Sequence, residues 1–326
     1  MLHFLKEKQH QTVEENAMAR YAIISDMHSS TGYIMEEAEV LATRFGKWLL
    51  GPFYRSMKEE IKDHHHVRST LERIKQGGYD GIIGLGDYSQ TGEAEEAEEA
   101  MDLLNQYSKG APLYLAPGNH DIKSWVKFGD RWSEYLSEEQ IDSYKKIFGP
   151  LYGAKELKGN VILIWLMSEP FMFQWHKHDH LSSRQYRLLN NILKAQLQFL
   201  QETLNCKQWV DKKIILSLHD PGALLSSHLK GALWQHRNRI LLTLTGHIHA
   251  GWLMRIMCLV HPILWPKLLW QMRRYKAWLI PSVWGIALPD TFWMAGAGWA
   301  ELDISDSGNK LLFHFTNSKK IRGFRL

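Results

Sequence analysis

The stretch Ile240-Leu241-Leu242-Thr243-Leu244-Thr245-Gly246-His247-Ile248-His249 joins a short strand-like run to a glycine and two histidines. A run of this length, rich in Leu, Ile and Thr and closed by a turn residue, reads as a buried strand. The same plan recurs upstream. The run at 21–25 leads into Asp26-Met27-His28, and that at 81–85 into Gly86-Asp87. The run at 113–116 passes Pro117 into Gly118-Asn119-His120-Asp121, and that at 213–218 ends in His219-Asp220-Pro221. A further run lies at 161–167, and helical patterns at 91–107 and 182–204 are long enough to cover a sheet. This order predicts one α/β domain over 1–326. The C-terminal edge of a sheet is where loops gather functional groups, so these ligand-bearing ends are expected to converge.

The residue types point to metal chemistry. In an extended segment, side chains two apart point the same way. Asp26 and His28 then face one site while Met27 turns into the core, and His247 and His249 repeat this around Ile248. Glycine before a ligand allows a tight backbone. Carboxylate, amide and imidazole without thiolate suit Mn, Fe or Zn better than a soft-metal site.

The ordered set Asp26-x-His28, Gly86-Asp87, Gly118-Asn119-His120-Asp121, His219 and Gly246-His247-x-His249 resembles the calcineurin-like metallophosphoesterase superfamily over 21–249, with closing strands expected at 297–316. The resemblance implies a four-layer αββα sandwich and a hydrolase with two divalent ions. By motif position, Asp26, His28 and His249 would hold one ion, and Asn119, His219 and His247 the other. Asp87 would bridge them. His120 would lie above the site, protonating the leaving oxygen or stabilising the transition state. Asp121 would orient an imidazole.

Composition narrows the classes. The 326 residues are 45% apolar and 23% charged, which excludes wholesale disorder. A net charge of +4 is too small to indicate nucleic acid. With only Cys206 and Cys258, a disulfide framework is excluded and a reducing compartment is expected. Residues 1–20 carry charge throughout and do not form a secretory signal. The expected location is the cytoplasm, with peripheral contact at the inner face of the membrane. The acidic run at 93–99 reads as a solvated helix face near the positive end of the dipole. His64-His65-His66 reads as a solvated face, and His176, His178 and His180 as a surface loop.

Two insertions are expected, at about 31–78 and 252–289. The first contains Trp48, Leu49, Leu50, Phe53 and Tyr54. The second has five basic residues (Arg255, Lys267, Arg273, Arg274, Lys276) and no acidic one, and seven of the 14 tryptophans lie in the last quarter of the chain. Nothing there approaches the roughly 20 apolar residues of a membrane span. A helix from Pro266 to about Ile280 is expected to present Leu268, Leu269, Met272, Tyr275 and Leu279 on one face. The segment reads either as an interfacial membrane or acyl-chain site or as a cap or dimer contact.

Two hydrolase readings follow. A lipid-linked phosphorylated substrate such as UDP-2,3-diacylglucosamine fits the apolar insertion, as in the pyrophosphatases of lipid A synthesis. Those enzymes usually carry Arg where His120 stands. The alternative is a soluble phosphodiesterase acting on cyclic nucleotides or other small diesters, whose branch Phe148-Gly149-Pro150 and Gln198-Phe199-Leu200 resemble. A non-catalytic scaffold is the third reading, and the complete ligand set speaks against it.

Overall fold

A computed structural model describes residues 18–29, 65–128, 131–172, 182–248, 263–280, 282–283, 298–306, 310–316 and 321–325. Strand β1 (Met18–Ile24) lies near the middle of a six-stranded sheet of order β13-β12-β11-β1-β2-β3. β2 (Gly81–Gly84) and β3 (Leu113–Leu115) follow it in parallel, while β11 (Ala300–Ser305), β12 (Lys310–Phe315) and β13 (Ile321–Arg325) extend the sheet antiparallel. The second sheet has order β10-β9-β8-β7-β6. Its strands are β6 (Gly153–Glu156), β7 (Val161–Leu166), β8 (Lys213–Leu218), β9 (Ile240–Thr245) and β10 (Ala277–Leu279). All but β6 run parallel.

Alternation along the strands builds the layers. Ala19, Tyr21 and Ile23 of β1 share one core with Val161 and Leu163 of β7, and with Leu242 and Leu244 of β9. That core is the space between the sheets. The opposite faces bury Ala22 and Ile24 beneath Val67, Leu71 and Ala100, and Ile162, Ile164 and Leu166 beneath Leu189, Leu193 and Leu200. Those covering residues come from α1 (His65–Gly77), α2 (Ala94–Ser108) and α6 (Ser183–Asn205). The result is the four-layer αββα sandwich. Ser182 and Gln185 start α6 with a reciprocal capping box, each side chain taking the other's main-chain N–H.

Several elements differ from the sequence reading. Residues 65–77, within the first expected insertion, are the helix α1. They form the crossover helix that any parallel β1–β2 pair requires, whereas 31–64, with the Trp48–Tyr54 cluster, lie outside the described residues. A hairpin, β4 (Lys123–Phe128) with β5 (Arg131–Leu136), follows the short helix α3 (Asn119–Ile122). It leads into α4 (Glu138–Ile147). The expected 266–280 helix is α8 (Leu264–Arg274). It stops because Lys276 turns left-handed at φ 51° and its Nζ donates to Ile240 O at 3.0 Å. The chain then pairs with β9 as β10. Leu268, Met272 and Tyr275 are buried as expected, but Leu269 faces outward.

Candidate metal centre

Four residues at strand ends hold left-handed backbones: Asp26 at φ 55°, His28 at 46°, Asp87 at 56° and His247 at 66°. Away from glycine this costs about 1–2 kcal/mol per residue, so neighbouring structure must impose it. Main-chain bonds do. Asp26 N–H donates to Gly86 O at 3.0 Å, His28 N–H to Asp87 O at 2.9 Å, and Gly246 N–H to His219 O at 2.9 Å. Asp26 and His28 converge with Met27 in the core, but through two left-handed residues rather than an extended strand. A β-carbon at Gly86 would stand 2.6 Å from Gly118 Cα, and one at Gly118 would stand 2.8 Å from Asp87 Cγ. This close approach requires both glycines.

Asp87 is the centre of the arrangement. Its Oδ2 lies 2.9 Å from His219 Nε2 and 3.9 Å from His28 Nε2, and its Oδ1 accepts the His120 N–H at 2.9 Å. Two groups of ligand-type atoms result, His28–Asp87–His120 and Asp87–His219–His247, with the atoms of each within 4.8 Å of one another. Asp26 flanks both. Its Oδ1 is 3.9 Å from His28 Nε2, and its carboxylate accepts the His247 N–H at 3.1 and 3.3 Å. Asn119 is buried at the start of α3. His249 lies outside the described residues, as do His176, His178 and His180.

The electrostatics match this geometry. Burial opposes charge on Asp87, but the His219, His120 and His28 imidazoles hold its carboxyl well below the usual range. Burial likewise opposes charge on His219, yet the Asp87 carboxylate wins and pushes it up to about 10. The Nδ1–H of His219 donates to Leu85 O at 2.8 Å, which turns Nε2 toward Asp87.

The residues fit divalent ions. Asn119 Oδ1 is a buried acceptor with no hydrogen-bond partner among the described residues. His247 Nδ1 and His219 Nε2 stand 3.2 Å apart. That is the separation of two imidazole nitrogens that both lie about 2.1 Å from one ion.

Three residues play parts that the sequence did not show. Among the described residues, Asp121 makes no hydrogen bond to an imidazole. Its carboxylate instead accepts the N–H groups of Asp87 (2.8 Å), Tyr88 (2.7 Å), Ser89 (3.0 Å) and Gly118 (2.9 Å), pinning the loops after β2 and β3 together. Its burial, with the Asp87 carboxylate nearby, pushes its pKa up to about 6. Glu96, from the acidic run read as solvated, is buried. It reaches back to the N–H groups of Gln90 and Thr91 at 3.2 and 2.7 Å, and the Gln90 carbonyl takes the Nδ1–H of His120 at 2.6 Å. Asp220 Oδ2 lies 3.6 Å from His247 Nε2. A Glu three residues into a helix is the available sequence signal for Glu96.

The pattern of the calcineurin-like phosphoesterases matches residues 19–251, most of the chain, including the ends of β1, β2, β3, β8 and β9 that carry the clustered residues. The chain belongs to the calcineurin-like phosphoesterase family. The family typically binds two divalent ions. No protein of curated function matches this phosphoesterase. Among solved structures it is similar to purple acid phosphatase PPD1 from yellow lupin (Lupinus luteus) seeds, at 12% identity and a TM-score of 0.39. That alignment covers 95% of this chain and 53% of the lupin chain, so the phosphoesterase spans about half the length of its relative.

Proposed function

We propose that this phosphoesterase hydrolyses a phosphoester or pyrophosphate bond in a lipid-linked substrate such as UDP-2,3-diacylglucosamine, as a step of lipid A synthesis. Asp26, His28 and His249 would hold one ion, and Asn119, His219 and His247 the other, with Asp87 shared by both sets. The observation that carries the hydrolytic part is the Asp87 carboxylate, which sits in both imidazole clusters. When bound, a pair of divalent ions supplies an acidified water and a clamp on the phosphoryl oxygens. The chain's own residues do the rest. With Nδ1–H of His120 committed to Gln90 O, Nε2 is the atom that gives a proton to the departing oxygen. Asp121 fixes the backbone that carries Asp87.

The amphiphilic part rests on the outer face of α8 and of α7 (Ser227–Trp234). Trp270 is 56% exposed and Trp234 44%, and Ile263 and Leu269 add exposed apolar surface. The Arg274 guanidinium stacks on both indoles, 4.2 Å from the Trp234 centroid and 4.6 Å from that of Trp270, and Arg237 lies 4.4 Å from Trp234. From 221 to 289 the chain carries no Asp or Glu. Indole rings with interspersed guanidinium groups suit the headgroup level of an anionic membrane. No helix among the described residues is long and apolar enough to cross one. Of the expected 252–289 insertion, 252–262, 281 and 284–289 lie outside the described residues.

The test compares purified protein with Mn²⁺ on UDP-2,3-diacylglucosamine in detergent and on bis(p-nitrophenyl) phosphate. Fast turnover of the lipid with a poor rate on the small diester is expected. The reverse ranking would make the enzyme a soluble diesterase. Phe148 offers that branch no support in the structure, because its ring is buried against Tyr88 and Tyr144 at 5.0 and 5.1 Å between centroids.

A further inference from the structure

We infer that Asp220 is a positioning residue for His247, holding the ring so that Nδ1 is the nitrogen offered to the metal centre. The inference rests on the two-metal reading above. Asp220 follows His219 directly and opens the 3₁₀ turn Pro221–Leu225. Its Oδ1 accepts the Gly222 N–H at 2.7 Å, and its own N–H donates to Ser168 Oγ at 2.9 Å. With the residue fixed at both points, Oδ2 stands 3.6 Å from His247 Nε2. On the other side of the ring, His247 Nδ1 is 3.2 Å from His219 Nε2.

The two imidazoles are therefore built alike. His219 gives its outer nitrogen to Leu85 O, and His247 turns its outer nitrogen to Asp220, so both inner nitrogens share the space beside Asp87. His247 has the greater need of such a hold, since its side chain is 37% exposed against 1% for His219. An acceptor behind a metal-binding imidazole selects its tautomer, fixes the ring and raises its basicity. At 3.6 Å the contact is electrostatic rather than a hydrogen bond. The negative charge of Asp220 thus matters more than its shape.

The test titrates Zn²⁺ by calorimetry into metal-stripped wild type, Asp220→Asn and Asp220→Ala, with thermal melts of each metal-free protein. Asparagine keeps an oxygen for the Gly222 N–H and loses the charge facing His247. Both variants are expected to lose about 10–100-fold in affinity at one of two sites, with the other site unchanged and the metal-free Asn variant melting like wild type. Asp220→Asn added to His247→Ala should cost nothing further, because the ring it positions is gone. Wild-type affinity at both sites in Asp220→Asn would reduce Asp220 to a turn cap and overturn the inference. So would equal weakening of both sites, or additive losses in the double variant. A wild-type chain that binds fewer than two ions fails the two-metal reading instead, and takes this inference with it.

Discussion

Asp121 holds Asp87 by the main chain: the Asp121 carboxylate accepts the Asp87 N–H at 2.8 Å from 34 residues away. The other oxygen serves Tyr88 and Ser89, so one buried side chain sets the loop that carries the central ligand. Asp121→Ala would strand several buried N–H donors, each costing about 1–3 kcal/mol. We expect a loss of at least about 3 kcal/mol in stability together with weaker metal binding. Paired denaturant melts and metal analysis would check this, and an unchanged melt would show that the loop holds itself.

Asp87→Ala and His247→Ala should each lower turnover by more than about 10³-fold, because each removes a residue from the clustered donors on which transition-state charge stabilisation depends. Both proteins should stay folded, since the sandwich cores do not involve either side chain. Circular dichroism alongside steady-state rates separates the two effects. Retained activity in either variant would sink the two-metal reading.

The pH dependence has a defined sign. His219 is pushed up to about 10 in the metal-free protein, above the unfolded value of 6.5. A histidine raised in this way contributes stability that is complete below 6.5 and is lost as pH climbs toward about 10. Divalent ions must displace the same proton, so their binding strengthens over the same window. The melting temperature of chelated protein should fall from pH 7 to 9, and its gap below the Zn²⁺-loaded protein should widen. A gap that stayed constant would remove His219 from the ligand set.

The tryptophan–arginine face predicts a substrate-dependent loss. Arg274→Glu reverses the charge stacked between Trp234 and Trp270. With each basic group worth about 1 kcal/mol near anionic lipid, KM for a lipid substrate in anionic mixed micelles should rise roughly 10-fold or more. Rates on bis(p-nitrophenyl) phosphate should not move. Equal losses on the two substrates would assign this face to packing.

The fold was legible because its signals are local. The runs at 213–218 and 240–245 are β8 and β9 to the residue, and each of the five ligand-bearing ends follows a described strand. What the sequence concealed depends on contacts that no periodic pattern announces, most of them distant in the chain. The hydrogen bonds that impose left-handed backbones on Asp26 and His28 come from Gly86 and Asp87, and no local pattern announces them. Glu96 looks like its solvated neighbours until the Gln90–Thr91 loop folds back over it. The stretch 277–279 continues a helical pattern, yet pairing with β9 and the turn at Lys276 override it.

The Asp26 carboxylate receives the His247 N–H from 221 residues along the chain. Ions bound at this junction would act as a cross-link closing a very long loop, whose entropic value grows with the logarithm of its length. The centre also cannot assemble on a growing chain before His247 has been synthesised. A product truncated before His247 would therefore lack a residue of the second imidazole cluster.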